Sequence, residues 1–556
     1  MYANYYNVFI DGSMTKTIVT SALPYVYGIP HLGNFVGSVL PADVYYKYLR
    51  MKNEDAIFIC GSDQHGTPIE LRAIKEKITP KELADKMHGI IKDIFNRYEC
   101  TFTYYGKTDT EENRATVYAI FEALNKNGYI IEREEIQAYC EEDKRFLVDR
   151  LIEGICPYCN GLHARGDQCD DCGKLLSPTQ IINPHCMICG SEKIEFLKVK
   201  NLAIALDKLQ DKIKEFITHS SINGWSKNAI NKSLSLINTE GLKPRDITRN
   251  MKWGFQVPLI NYRDFVFYVW FDAVIGYIGI TKEWNKTKWS EYWTDNKTRL
   301  IQFMGKDNIE FHTLMFPGIL LGSDMDYTLP YIIKSSENLT SKNIKFSKSR
   351  GIGLNLESAL GIAEPDYWRF VLIYLYPENS DSEFSVEMLK EIINNIMNGK
   401  IGNLVNRVLT LAKKSGIVFN KISDNGDEEV DKIIKDYKES FEKIELKSAL
   451  NGVIEMANLG NTIISNTEPW KLMNKEDTDK LSSILNRVIK IIYDIGIMLW
   501  PFAPKAAMDI LFYFDIEEEP KLSLLEKFPI LNIEKEIKVI FNKISKEKIY
   551  EIEKFG

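Results

Sequence analysis

No stretch of this chain reaches the roughly 18 uninterrupted apolar residues that a membrane-spanning helix needs. Its start, Met1-Tyr2-Ala3-Asn4-Tyr5-Tyr6-Asn7, has neither a cationic n-region nor an apolar h-region. A cytoplasmic protein is therefore expected, with no membrane partner. An excess of basic residues is also missing: the net charge is −7, so a polyanion partner needs a locally basic surface. Internal repeats and low-complexity linkers are absent too. What is present is 556 residues, 45% hydrophobic and 26% charged, the composition of a globular protein with several folded units.

Two distant stretches carry phosphate-binding chemistry. Pro30-His31-Leu32-Gly33-Asn34 places an imidazole and a glycine where a strand-like run gives way to a helix, so free N–H groups and the positive helix end face an anion. Lys345-Phe346-Ser347-Lys348-Ser349-Arg350-Gly351 offers two lysines on a loop suited to closing over a polyphosphate. Each alone reads more readily as a solvated loop. Together they point to one nucleotide site built from both ends of a domain.

Along the chain, Ile18, Val19 and Thr20 read as a buried strand, and Ala56-Ile57-Phe58-Ile59-Cys60 as a second one ending at Asp63-Gln64-His65-Gly66. Strand–helix alternation stops near Gly128. It resumes with Phe265-Val266-Phe267-Tyr268-Val269-Trp270, read as a strand, and with Leu300 to Asp307. A parallel sheet interrupted by an insertion accounts for both halves. From about Ile392 to Leu531 apolar stripes at helical spacing predict a bundle, followed by a charged tail. Lys400, Arg407, Lys413, Lys414 and Lys421, with no acid among them, supply a basic face there.

Six of the nine cysteines form Cys-x2-Cys pairs. Cys156, Cys159, Cys169 and Cys172 have the spacing of a tetrahedral zinc site. A second, nested set is Cys140, Asp143, Cys186 and Cys189, in which His185 competes with Asp143 for the fourth place.

These motifs in this order resemble the methionyl-tRNA synthetases among class I aminoacyl-tRNA synthetases, whose HIGH-like and KMSKS-like motifs read here His31 to Asn34 and Lys345 to Ser349. Ser21 to Tyr25, Asp63 to Ile69, the knuckles, Trp270 to Tyr277 and Gly305-Lys306-Asp307 extend the resemblance over most of the chain. The HLGN form and extra cysteine pair are similar to the archaeal and eukaryotic branch. The resemblance implies an α/β Rossmann-like catalytic domain in two parts, 14–128 and 256–335. It also implies a zinc-knuckle insertion at 129–255, a linking domain at 336–391, an all-α anticodon-binding bundle at 392–531 and a charged tail at 532–556.

The resemblance further implies residue roles. His31, Asn34, Lys345 and Lys348 act in catalysis; His31, Gly33, Asn34, Gly305, Asp307 and Lys348 bind ATP. Leu23, Tyr25, Trp270, Ala273, Tyr277 and His312 surround the methionine side chain, and Asp63 holds its ammonium group. Asn403, Arg407 and Trp470 read the anticodon. The implied partners are L-methionine, ATP with Mg2+, and tRNA(Met) including the initiator, not DNA. Departures from the family pattern are Phe346, Asn34, Val274 and Asp143, the last bearing on the second metal. A leucine, isoleucine or valine synthetase is the rival enzyme, disfavoured by the short insertion. A non-catalytic tRNA-binding protein is the rival outside enzymes, disfavoured by intact His31, Lys345 and Lys348.

Overall fold

The computed structural model describes residues 16–545 except 167, 173, 175, 342–343, 346–352, 418, 420–426 and 474–477, and only the backbone of 344 and 345. Lys348, Lys421 and the end of the tail thus lie outside the described residues. Five parallel strands, β1 (Lys16–Ser21), β2 (Ala56–Ser62), β3 (Tyr104–Lys107), β4 (Thr298–Gly305) and β5 (Pro330–Ser336), form the central sheet in the order 5-4-1-2-3. β1 lies between β2 and β4, with Thr20 opposite Ile59 on one side and Gln302 on the other. Along β1 and β2 nearly every residue is buried, as expected where helices cover both faces. Val19, Phe58 and Cys60 belong to one core, and Ile18, Ile57 and Ile59 to the other. The two-residue period thus assigns the strand side chains to opposite faces.

One face is covered by a helix over 32–51, here α1, which contains a π-helical stretch at Phe35–Val39, and by Pro80–Arg97. The other face carries Glu111–Lys126, α2 (Val269–Trp284) and Phe316–Ser323. The apolar run 265–270, read above as a sheet strand, is a two-residue strand, Val266–Phe267, pairing with Thr248–Arg249, followed by the start of α2. A helix buried from Phe271 to Thr281 has no polar face, so periodicity does not separate it from a buried strand.

The insertion is carried on an antiparallel ribbon, Ile130–Cys140 with Ile194–Ile204, in register from Ile130 opposite Ile204 to Cys140 opposite Ile194. Short strands Ile152–Ile155, Ala164–Arg165 and Ile182–Cys186 hold the cysteine turns at its tip. After the ribbon the helix Leu206–Ser220 returns to the main core, packing Leu206 and Ile213 against Gly318.

The C-terminal region is helical: a π-helical stretch Ile392–Gly402, α3 (Asn403–Ser415), α4 (Glu428–Glu442), α5 (Leu446–Thr467), α6 (Pro469–Met473) and α7 (Thr478–Leu499). The expected tail is anchored as far as 545: Phe541 is buried and the Asn542 N–H donates to the Tyr367 hydroxyl at 2.7 Å.

Bundle and sheet share one apolar core, and a buried ionic node pins it. Asp43 on α1 receives Lys47 at 2.8 Å and Arg369 at 2.7 Å. Arg369 also donates to the carbonyls of Pro501 and Phe502. Although burial opposes it, the two cations hold the Asp43 carboxyl below the usual range. At the far end of α1, Tyr48 stacks on Phe441 with ring centroids 4.1 Å apart, and Lys52 pairs with Glu442 at 2.7 Å.

Candidate active site

β1 and β4 are the neighbours from which the strand order runs outward in opposite directions, and a ligand crevice belongs beyond their carboxyl ends. A cleft of about 550 Å³ lies there, lined by Leu23, Tyr25, His31, Asp63, Trp270 and Gly305 among others. Gly33, Asn34 and Asp307 also line it.

On one side His31 is the N-cap of α1. Its Nδ1 accepts from the Asn34 N–H at 3.1 Å, and its own N–H donates to Asn34 Oδ1 at 3.2 Å. With Nδ1 an acceptor, the neutral ring carries its hydrogen on Nε2. The cap consumes the Asn34 amide oxygen and leaves its Nδ2 hydrogens as the side-chain donors. Gly305 ends β4, and a Cβ there would meet nothing within 4 Å, so the strand end is open to a ligand. Lys345 follows in a short strand, Ile344–Lys345, paired with Leu339–Ser341.

On the other side Asp63 directly follows β2. It is 5% exposed, and its Oδ1 has no hydrogen-bond partner among the described residues. Burial, then the neighbouring Asp272 carboxylate, push its pKa well above the ordinary value. An unpaired buried carboxylate oxygen is costly, and a cationic ligand group would relieve that cost. Gly66, at φ +106, lets the Tyr25 hydroxyl pack onto the backbone where a Cβ would overlap it.

Trp270 stacks on Phe311 at 3.8 Å between centroids and 5° between planes. Ala273, Tyr277 and His312 are buried and lie behind the lining instead of on it. Tyr277 Oη is 2.8 Å from His312 Nε2, and His312 Nδ1 donates to the Asn308 carbonyl at 2.9 Å. Burial pushes the His312 pKa down to about 4, so the ring is neutral near pH 7.

Residues not singled out from the sequence also belong here. Asp149, Arg150 and Gln168 bring the cysteine-bearing insertion to the rim of the cleft. Beneath the cleft His65 Nδ1 lies 2.6 Å from Asp272 and Nε2 3.5 Å from Asp109. In the sequence His65 stands out as the partner of Asp63 after β2, and Asp272 is the one acid in the apolar start of α2.

The sulfur atoms of Cys156, Cys159, Cys169 and Cys172 all lie within 4.8 Å of one another, with pairs at 3.9 and 3.7 Å. A zinc ion with Zn–S bonds of about 2.3 Å sets tetrahedral edges of about 3.8 Å, so this set fits the ion. Cys140, Cys186 and Cys189 form a second cluster, with Cys140 and Cys189 sulfurs 3.6 Å apart. Asp143 Oδ2 is 3.9 Å from the Cys186 sulfur but 3.0 Å from Arg145 Nε. His185 instead faces Glu153 at 3.7 Å.

In the bundle Asn403 and Arg407 are exposed on one face of α3, and Trp470 on α6 is 40% exposed. Among the described residues no helix is long and apolar enough to cross a membrane.

The family profile described as tRNA synthetases class I (M) matches residues 17–409, and that of the anticodon binding domain of methionyl tRNA ligase matches 416–555. A methionine–tRNA ligase of Pyrobaculum islandicum is 41% identical over 507 residues, covering 89% of this chain and 88% of the relative. One from Borrelia turicatae is 41% identical over 96% of this chain and 74% of its own. The fold is also that of Mycobacterium tuberculosis methionyl-tRNA synthetase solved with methionyl-adenylate: TM-score 0.78, 20% identity, 95% of this chain and 100% of that one.

Proposed function

The chain belongs to the methionyl-tRNA synthetases of class I, and from that premise we propose how its own residues divide the work of activating methionine and charging tRNA(Met). The reading rests on one observation: a single cleft sets a buried carboxylate, Asp63, whose Oδ1 has no hydrogen-bond partner among the described residues, opposite a helix end capped by His31. The first binds the ammonium group of methionine; the second faces the ATP phosphates. Leu23, Tyr25 and Trp270, backed by Ala273, Tyr277 and His312, receive the thioether, which apolar and aromatic walls recognise best. Gly33 and Asn34 support the phosphates, and Gly305 and Asp307 hold the ribose side.

The methionine carboxylate oxygen attacks the α-phosphorus in line, and the bond to the bridging oxygen breaks to release pyrophosphate. The 2′-hydroxyl of the tRNA terminal adenosine then attacks the carbonyl carbon of the adenylate, losing its proton as AMP departs. No side chain forms a covalent intermediate, so positioning and charge stabilisation carry the first step. Lys345 and Lys348 stabilise the departing pyrophosphate, and Mg2+ accompanies ATP. Zinc held by Cys156, Cys159, Cys169 and Cys172 stiffens the insertion that borders the cleft, with Cys140, Asp143, Cys186 and Cys189 as a weaker second set. Asn403, Arg407 and Trp470 read the anticodon, because unstacked loop bases are recognised by hydrogen bonds and stacking. Such an enzyme works in the cytoplasm.

The test is amino-acid-dependent ATP–pyrophosphate exchange with methionine, leucine, isoleucine, valine, cysteine and homocysteine. Strongest exchange with methionine is the expected result; none with any amino acid, from folded zinc-loaded protein, overturns the reading.

A further inference from the structure

His65 does not line the cleft, yet it is held by two carboxylates close to it. Its ring is 1% exposed and lies between two carboxylates, Asp272 at 2.6 Å and Asp109 at 3.5 Å. Trp253 and Phe255 close it in edge-on, with centroids 5.3 and 4.7 Å away. The two anchors stand on different elements. His65 follows Asp63 by two residues at the end of β2, whereas Asp272 sits on the first turn of α2 between Trp270 and Ala273. The contact therefore ties the ammonium-binding side of the pocket to the helix carrying its side-chain walls.

Charge makes the contact more than a tether. Asp63 and Asp272 are both buried carboxylates that repel each other. Two such groups cannot both remain ionised without a nearby cation. The groups facing Asp63 are Asp272, His65 and the phenols of Tyr25 and Tyr277; Asp109 is itself paired with Lys81 at 3.3 Å.

We propose that His65 is a positioning residue for methionine activation: as an imidazolium clamped by Asp272 and Asp109, it offsets the Asp272 charge and so favours ionisation of Asp63 as the substrate ammonium binds. The proposal rests on the reading of Asp63 as the ammonium anchor. Burial opposes protonation of the ring, but Asp272 and Asp109 outweigh it and raise the His65 pKa to about 10. The two carboxylates therefore favour the imidazolium form near neutral pH.

The experiment measures KM for methionine against pH in ATP–pyrophosphate exchange, with KM for ATP alongside, for wild type, H65N and the double variant H65N/D272N. Loss of the cation lets Asp63 take up a proton at higher pH. In H65N the acid limb of the methionine profile moves up by about one unit, and KM at its foot rises about tenfold. The double variant, having lost the repelling carboxylate as well, returns toward the wild-type profile. An unmoved limb in H65N, or a double variant worse than the single, overturns the proposal and points to packing alone. If H65N does not fold, nitrogen-15 imidazole spectra of wild type decide: a His65 ring protonated at pH 8 supports the proposal, and a neutral one overturns it. Wild type without methionine-dependent exchange instead sinks the functional reading beneath it.

Discussion

The Tyr277 hydroxyl donates to His312 Nε2 across 2.8 Å, and the other ring nitrogen fixes that direction. His312 Nδ1 gives its hydrogen to the Asn308 carbonyl at 2.9 Å, so Nε2 is an acceptor only. The Tyr277 oxygen is in turn approached by the Leu23 N–H. The back of the pocket is thus a chain of hydrogen bonds with one allowed polarity, which leaves the ring no hydrogen to offer a thioether.

Tyr277→Phe strands the buried Nε2 acceptor at a cost of about 1–3 kcal/mol. We expect a lower unfolding midpoint and a raised KM for methionine, with KM for ATP unchanged. The His312 pKa is depressed from 6.5 to about 4, so the unfolded chain binds the proton first. This residue's contribution to stability is complete above pH 6.5 and falls away as the pH drops from 6.5 toward 4. Urea unfolding of wild type and His312→Gln across that window checks the sign.

Asp63→Asn replaces a buried carboxylate whose Oδ1 has no hydrogen-bond partner among the described residues. The substitution should raise KM for methionine by at least about a hundredfold, the scale of a lost buried charge pair. It should also raise the apparent melting temperature of the ligand-free protein, since a buried carboxylate oxygen without a hydrogen bond costs stability. Differential scanning fluorimetry with and without methionine reads both effects. A melting point that falls would mean that the Asp63 carboxylate is already compensated before methionine binds.

Lys348→Ala should slow adenylate formation in single turnovers with little change in methionine affinity. An unchanged single-turnover rate removes Lys348 from the chemical step.

Native mass spectrometry should find one tightly held zinc, which Cys159→Ser abolishes. Asp143→Cys should raise the metal content toward two, because it replaces an oxygen already engaged by Arg145 with a thiolate. No increase would mean that the ribbon end does not bring the four groups together.

Trp470→Ala should raise KM for tRNA by about 5- to 150-fold, the equivalent of about 1–3 kcal/mol of stacking. ATP–pyrophosphate exchange should be spared. Loss of both activities would make the ring structural.

Short motifs disclose the centre of this molecule better than its surroundings. His31 and the first cysteine set are legible because capping and metal geometry each demand particular residue types at fixed spacing, whereas a role for Asp63 comes only from the family resemblance. The Phe265–Trp270 run reads wrongly as a strand because α2 is apolar on all sides. Asp272 does not stand out because its partner, His65, is 207 residues away, a pairing that only the folded chain supplies. The rim residues Asp149 and Gln168 are equally hidden, since nothing local says that an insertion folds back over the cleft.

The helix α1 begins at His31 and ends on Glu442, a span of about 30 Å for its twenty residues. A cap that lines the cleft and a bundle joined to it by one rod cannot be exchanged as independent modules. A chimera that takes its bundle from a distant relative inherits a mismatch unless Tyr48, Lys52 and the Asp43–Arg369 pair find equivalent partners. Domain swapping in this architecture should therefore be planned around the rod, with the joint placed so that both of its ends come from the same parent.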